Sequence, residues 1–81
     1  MLENKITKIL KNNINTSKIF IHDMTEKNNH FNLIVISDVF EGLTLIKQHK
    51  IIYDILGGMI TNEIHALQLK TMTWNQWKKE N

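Results

Sequence analysis

Leu2, Ile6, Ile9, Leu10 and Ile14 recur at helical spacing and share one face, while Lys5, Lys8 and Lys11 fall off that stripe. The pattern predicts an amphipathic first helix that ends in the Asn12-Asn13 and Asn15-Thr16 region. Ile19-Phe20-Ile21-His22 is β-branched and aromatic and predicts a short strand. Asp23 to Asn29 is polar and loop-like. Phe31 to Ile36 is the strongest strand candidate; its later residues are apolar on both faces, as in a strand covered from two sides. Two strands joined by a short polar loop predict an antiparallel hairpin.

Ser37 or Asp38 then caps a short turn through Phe40-Glu41-Gly42. A long helix is predicted from about Leu43 to Ile60. Leu45, Ile46, His49, Ile52, Tyr53, Leu56 and Ile60 fall within one arc of its wheel, which is expected to face the sheet. Ile51 and Ile55 lie on the otherwise polar side and suggest a partner surface. Gly57-Gly58 costs a continuing helix roughly 1 kcal/mol per glycine against alanine, so the pair also suits a kink or an early end. Ile64 to Thr71 reads as a third strand, and the helix before it is long enough for a crossover to a parallel neighbour. Thr73 with Gln76 three residues on fits a capping box opening a short last helix that carries Trp74 and Trp77.

The fold class that follows is α/β in the α+β sense. It is a single domain over residues 1–81, in the order α-β-β-α-α-β-α with one α a short turn, and a three-stranded sheet with helices packed on one face. Phe31, Leu33, Val35, Tyr53, Leu56, Leu67, Leu69 and Trp77 are the expected buried set. No repeat, linker or low-complexity segment interrupts the chain.

Composition narrows the classes. A chain of 81 residues buries a modest core. It has no cysteine, which excludes disulfides and a thiol nucleophile. The longest apolar run, Leu33 to Ile36, falls far short of the ~20 residues of a membrane span. The N-terminus lacks the apolar core of a signal peptide. The expectation is a cytoplasmic, soluble protein. Net charge is +2, all its positive charge comes from lysine, and eight acids are scattered among the ten lysines. Absence of arginine removes the side chain best suited to bidentate contact with phosphate or guanine.

Histidine is the candidate chemistry. His22, His30, His49 and His65 are far apart in sequence, and no pair has helical metal-site spacing. A structural zinc site is disfavoured, because such sites want four ligands and mostly use cysteine. His49, on the apolar arc, reads as a core-edge histidine bonded to a backbone carbonyl more readily than as a ligand. His65 begins the third strand on the face of Leu67 and Leu69, and alone would also read as structural. There is no serine or cysteine nucleophile constellation, no acid pair in an evident cleft and no phosphate loop, so an enzyme is not expected. For nucleic acid, Lys47 and Lys50 share a helix side and Lys78 and Lys79 sit near the C-terminus, giving a small patch. Tryptophans at one-turn spacing, such as Trp74 and Trp77, are more often docked in a core than stacked on bases.

The ordered set Asn29-His30-Phe31, Phe40-Glu41-Gly42, Gln48-His49-Lys50, Tyr53, Ile64-His65-Ala66-Leu67 and Trp77 resembles the BolA family of small proteins over about residues 2 to 78. It looks closest to the short bacterial BolA-like members of the IbaG type. The resemblance implies the same element order and a fold similar to the class II KH fold. Trp74 stands where the family usually has a proline, and Gln48-His49-Lys50 replaces Arg-His-Arg, weakening any phosphate contact.

The resemblance also implies a function. In BolA-like proteins the histidine matched by His65 is a ligand to a [2Fe-2S] cluster shared with a monothiol glutaredoxin and glutathione, and imidazole on one iron has precedent in Rieske centres. A chain without cysteine is expected to bind no such cluster in isolation. The second family ligand lies in the loop between the first two strands. Here Asp23 to Asn29 holds neither histidine nor cysteine, so His30 at its border is favoured over His22. The expected function is a non-enzymatic adaptor in cluster assembly, storage or delivery, a monomer or weak homodimer when alone. The alternative is a DNA-binding transcriptional regulator, stress- or morphology-related, using Lys47, Lys50, Lys78 and Lys79. The KH-like fold and the transcription regulators among BolA members make that alternative reasonable by analogy only, and where KH proteins clamp the backbone with Gly-x-x-Gly this chain has Gly57-Gly58 and a lone Gly42.

Overall fold

The computed structural model describes residues 2–16, 18–25, 29–64 and 66–80, with Thr61 described by its backbone alone. In chain order the elements are α1 (Leu2–Asn13), β1 (Lys18–Asp23), β2 (His30–Ile36), a 3-10 turn (Asp38–Phe40), α2 (Leu45–Leu56), α3 (Met59–Asn62), β3 (Ala66–Met72) and α4 (Trp74–Glu80). The sheet order is β1-β2-β3. β1 and β2 form the antiparallel hairpin, from Lys18 opposite Ile36 to Asp23 opposite Phe31. β3 runs parallel to β2, from Ala66 opposite His30 to Met72 opposite Ile36. A parallel partner demands a crossover, which α2 and α3 supply.

Strand alternation decides which sheet face is covered. Phe31, Leu33 and Val35 are fully buried, with Ile19, Ile21, Leu67 and Leu69 packed beside them. α1 lies over this face with Ile6 and Leu10 fully buried, and α2 with Ile52 and Leu56. Each such side chain contributes about 1.5–3 kcal/mol of burial. The other face is left to α4, whose Trp77 stacks on Phe20 of β1 with centroids 6.4 Å apart. α4 is therefore the exception to helices gathering on one side. Trp77 is half-buried on the outer face and not part of the core.

The helical arc predicted for α2 is corrected. Leu45 and Ile46 are 63% and 83% exposed, and Tyr53 is 39% exposed. The side that meets the sheet instead holds Gln48, Ile52 and Leu56, flanked by Ile51 and Ile55. Ile51 and Ile55 thus pack, partly buried, against the core and do not stand on a polar side. The true arc is rotated by roughly a quarter turn from the predicted one, at 3.6 residues per turn. The cause is Gln48, a polar residue that is 5% exposed. Its Nε2 donates to the Leu43 carbonyl at 2.9 Å, and its Oε1 accepts from Thr71 Oγ1 at 2.7 Å. With both ends of the amide bonded, burial costs little.

Local signals set the ends of the elements. Ser37 caps the 3-10 turn, its Oγ accepting from the Val39 N–H at 3.2 Å and donating to the Asn15 carbonyl. Thr44 caps α2, accepting from the Lys47 N–H at 3.3 Å, so the helix starts later than Leu43. The predicted run to Ile60 breaks at Gly57, which adopts φ +51° and ψ −125° while its N–H closes the last turn on the Tyr53 carbonyl at 2.9 Å. A side chain at that φ is strained, which is why the chain turns at this glycine. The capping box of α4 is reciprocal: Thr73 N–H donates to Gln76 Oε1 at 2.8 Å and Gln76 N–H donates to Thr73 Oγ1 at 3.2 Å.

Candidate functional site

The β1–β2 loop is fastened on both sides of its tip. Asp23 Oδ1 accepts from the Thr25 N–H at 3.1 Å, and the Thr25 hydroxyl lies 3.2 Å from Asn29 Oδ1. Such Asx-type bonds give the backbone a turn without glycine. The Met24 N–H then donates to the His30 carbonyl at 2.8 Å, closing the hairpin. His30 is therefore the first residue of β2, half-buried, on a fixed backbone. Across the sheet the Ala66 N–H donates to the Asn29 carbonyl at 3.1 Å, and His30 sits opposite Ala66.

His65 lies outside the described residues, but the chain on either side of it is held. Ile64 is 3% exposed in the core, and its N–H donates to the Met59 carbonyl at 2.7 Å. Glu63 grips Lys5 of α1, both carboxylate oxygens 3.1 Å from the ammonium. The pair is partly exposed, so its contribution is small and its effect is mainly to orient. Ala66 on the other side is locked into the parallel ladder. The structure thus brings His30 to the strand position beside the residue that follows His65. It leaves a difference of face: His30 is on the outer side of the sheet, whereas the sequence reading assigns His65 the side of Leu67 and Leu69.

The remaining histidines are placed elsewhere. His22, exposed, is opposite Asn32 and so lies diagonal to His30 on the outer face. Sequence spacing hides that neighbourhood, which antiparallel register reveals. His49 is half-buried on α2. Among the described residues no group of three or more His, Cys, Asp or Glu side chains is arranged to hold a metal ion. A cluster at this end of the sheet would need thiolates from another molecule.

The lysines of the nucleic-acid alternative are not brought together. Lys47 and Lys50 belong to α2, over the covered face, and Lys50 pairs with Asp54 at 2.9 Å. Lys78 and Lys79 close α4, against the other face. No described helix is long and apolar enough to cross a membrane.

An antiparallel hairpin extended by one parallel strand, two helices over one face and a terminal helix on the other define a small α/β domain with a histidine at the strand-switch end. The chain belongs to the BolA-like protein family, whose model matches residues 4–76. It is 41% identical over 80 residues to an uncharacterized protein of Buchnera aphidicola subsp. Schizaphis graminum, covering 98% of this chain and 96% of that one. It is 35% identical over 52 residues to the DNA-binding transcriptional regulator BolA of Vibrio cholerae, covering 64% of this chain and 49% of that one. Among solved structures, the BolA domain of SufE1 from Arabidopsis thaliana matches with a TM-score of 0.82 at 28% identity, covering 90% of this chain and 92% of that one.

Proposed function

We propose that this chain is a non-enzymatic adaptor that pairs with a monothiol glutaredoxin and takes part in [2Fe-2S] cluster assembly, storage or delivery. The observation that carries the reading is the pairing of His30 with Ala66, which sets a histidine on a fixed strand end beside the Ile64-His65-Ala66 segment. His65 is the proposed principal ligand and His30 the second, which requires His65, ahead of the start of β3, to depart from the alternation that sets Leu67 and Leu69 on the covered face. The donor set fits a shared cluster: imidazole comes from this chain, and thiolate from the glutaredoxin and glutathione. Bound there, the cluster would supply an iron centre with nitrogen ligation and a raised potential. The pinned loop of Asp23, Thr25 and Asn29 and the Lys5–Glu63 pair would hold the ligand segments before the partner arrives. The relationship to a BolA domain that occurs in SufE1 favours the iron–sulfur reading.

The test is anaerobic co-purification with a monothiol glutaredoxin from the same source, followed by iron analysis and visible absorption. A mixed complex whose spectrum differs from that of the glutaredoxin cluster alone is expected. No complex, or a spectrum indifferent to this chain, overturns the proposal.

DNA binding is the second reading, favoured by the Vibrio cholerae relative. The placement of its four lysines on α2 and α4 argues for weak, non-specific contact. Duplex affinity is expected to collapse as salt rises, because few lysines reach phosphates together. A tight, sequence-specific complex at ~150 mM salt would reverse the ranking.

A further inference from the structure

The outer face of the sheet is unlike an ordinary solvated surface. Register sets its side chains in cross-strand rows: Phe20, Ile34 and Lys70 form one, and His22, Asn32 and Gln68 the next. The first row is an exposed aromatic ring, an apolar floor and a cation. The second is three planar, hydrogen-bonding groups. α4 walls one side, leaving a groove of about 400 Å³ between Phe20, Ile34, Lys70, Met72, Trp77 and Glu80. That volume falls within the range of small-ligand sites.

Charge and aromatic stacking point the same way. No described strand position facing outward carries a carboxylate. Glu80 borders the groove but is met by Lys70 at 3.8 Å. Lys18 stands 5.1 Å from the Trp77 ring centroid, and Lys79 lines the adjoining cleft with Lys70. Trp77 is stacked between Phe20 and Trp74, which leaves Phe20 at one end of the stack, 45% exposed.

We propose that this face binds single-stranded nucleic acid. Phe20 would stack on a base, His22, Asn32 and Gln68 would meet base edges, and Lys18, Lys70 and Lys79 would meet phosphates. Splayed bases on a sheet need an aromatic platform, planar polar groups and flanking cations, and the rows supply all three. A duplex is the wrong ligand, because the face offers a flat floor beside α4 and no element that projects into a groove. The rows share the outer face with His30, which lies diagonal to His22, but the proposal does not depend on the cluster reading.

The experiment titrates the full chain with a labelled RNA and a labelled DNA of one mixed sequence, about eight nucleotides long, and with the DNA duplex. Anisotropy and tryptophan emission are read at ~50 and ~200 mM salt. Both single strands should bind more tightly than duplex and quench the emission. Tighter binding of RNA would mean that the 2′-hydroxyl is read; equal binding would mean that base and phosphate suffice. Phe20→Leu, which keeps an apolar body against Trp77, should weaken binding about tenfold. Lys70→Gln should weaken it and reduce the salt slope by about 0.7. Lys11→Gln, on α1 over the covered face, should change neither. Gln68→Ala and Lys70→Gln alter exposed side chains and carry the test if Phe20→Leu fails to fold. Duplex binding as tight as single strands, or single-strand affinity untouched in the folded variants, overturns the proposal and assigns the face to another partner.

Discussion

Gln48 of α2 and Thr71 of β3 are joined inside the molecule, the threonine hydroxyl donating to the amide oxygen at 2.7 Å with both residues buried. The bond fastens the crossover helix to the strand it delivers. Thr71→Val removes the donor and leaves Gln48 Oε1 buried without this partner, at an expected cost of about 1–3 kcal/mol. Adding Gln48→Leu should recover much of that loss. Urea unfolding of the two single variants and the double variant measures the coupling; strict additivity would show that the two groups do not depend on each other.

Leu56→Ala should cost roughly 2–5 kcal/mol, a large share of the stability of so small a domain. Leu56 is 3% exposed against the sheet. Ile46→Lys, at a position 83% exposed, should stay within about 0.5 kcal/mol. Comparable unfolding midpoints for the two would refute the observed phase of α2.

Thr73→Ala removes the hydroxyl that accepts from the Gln76 N–H. Loss of such a cap costs about 0.5–2 kcal/mol. Because α4 holds both tryptophans, its fraying should shift their emission to the red before global unfolding. An emission maximum that moves only with the main transition would mean that α4 is held by the stack on Phe20 and not by its cap.

His65→Ala should leave the domain folded and able to bind apo-glutaredoxin, yet change the visible spectrum and lower cluster retention in the mixed complex. His30→Ala should act in the same direction to a smaller degree. His49→Ala, half-buried on α2, should mainly reduce stability. An unchanged spectrum in a folded His65→Ala protein removes the central residue of the cluster reading.

Where one residue's environment follows from its own segment, the sequence was enough. Leu2, Ile6 and Leu10 gave α1 its buried face, and the alternation of Phe31, Leu33 and Val35 gave β2 its covered side. The Thr73–Gln76 box was legible because it closes within one turn. The phase of α2 was not, because Gln48 becomes a core residue only through Thr71, twenty-three positions away. Trp77 was misassigned for the same reason: its partners Phe20 and Lys18 belong to the first strand. At the candidate site, His65 stood out by motif alone. The proximity of His30 to Ala66 and of His22 to Asn32 depends on register, which no local pattern encodes.

The parallel pairing of β2 with β3 also has a consequence for how the molecule comes into being. The β1–β2 hairpin closes through a short loop, and such turns form in microseconds. β3 has to be returned across the whole crossover of α2 and α3 before Ala66 can meet His30, so a long-range closure entropy precedes any gain from that ladder. Topology therefore predicts that the hairpin forms early and that the His30–Ala66 pairing forms late. A partially folded chain would present strands and exposed apolar side chains but not the paired segments that the glutaredoxin is proposed to meet, which makes completed folding a precondition for engagement.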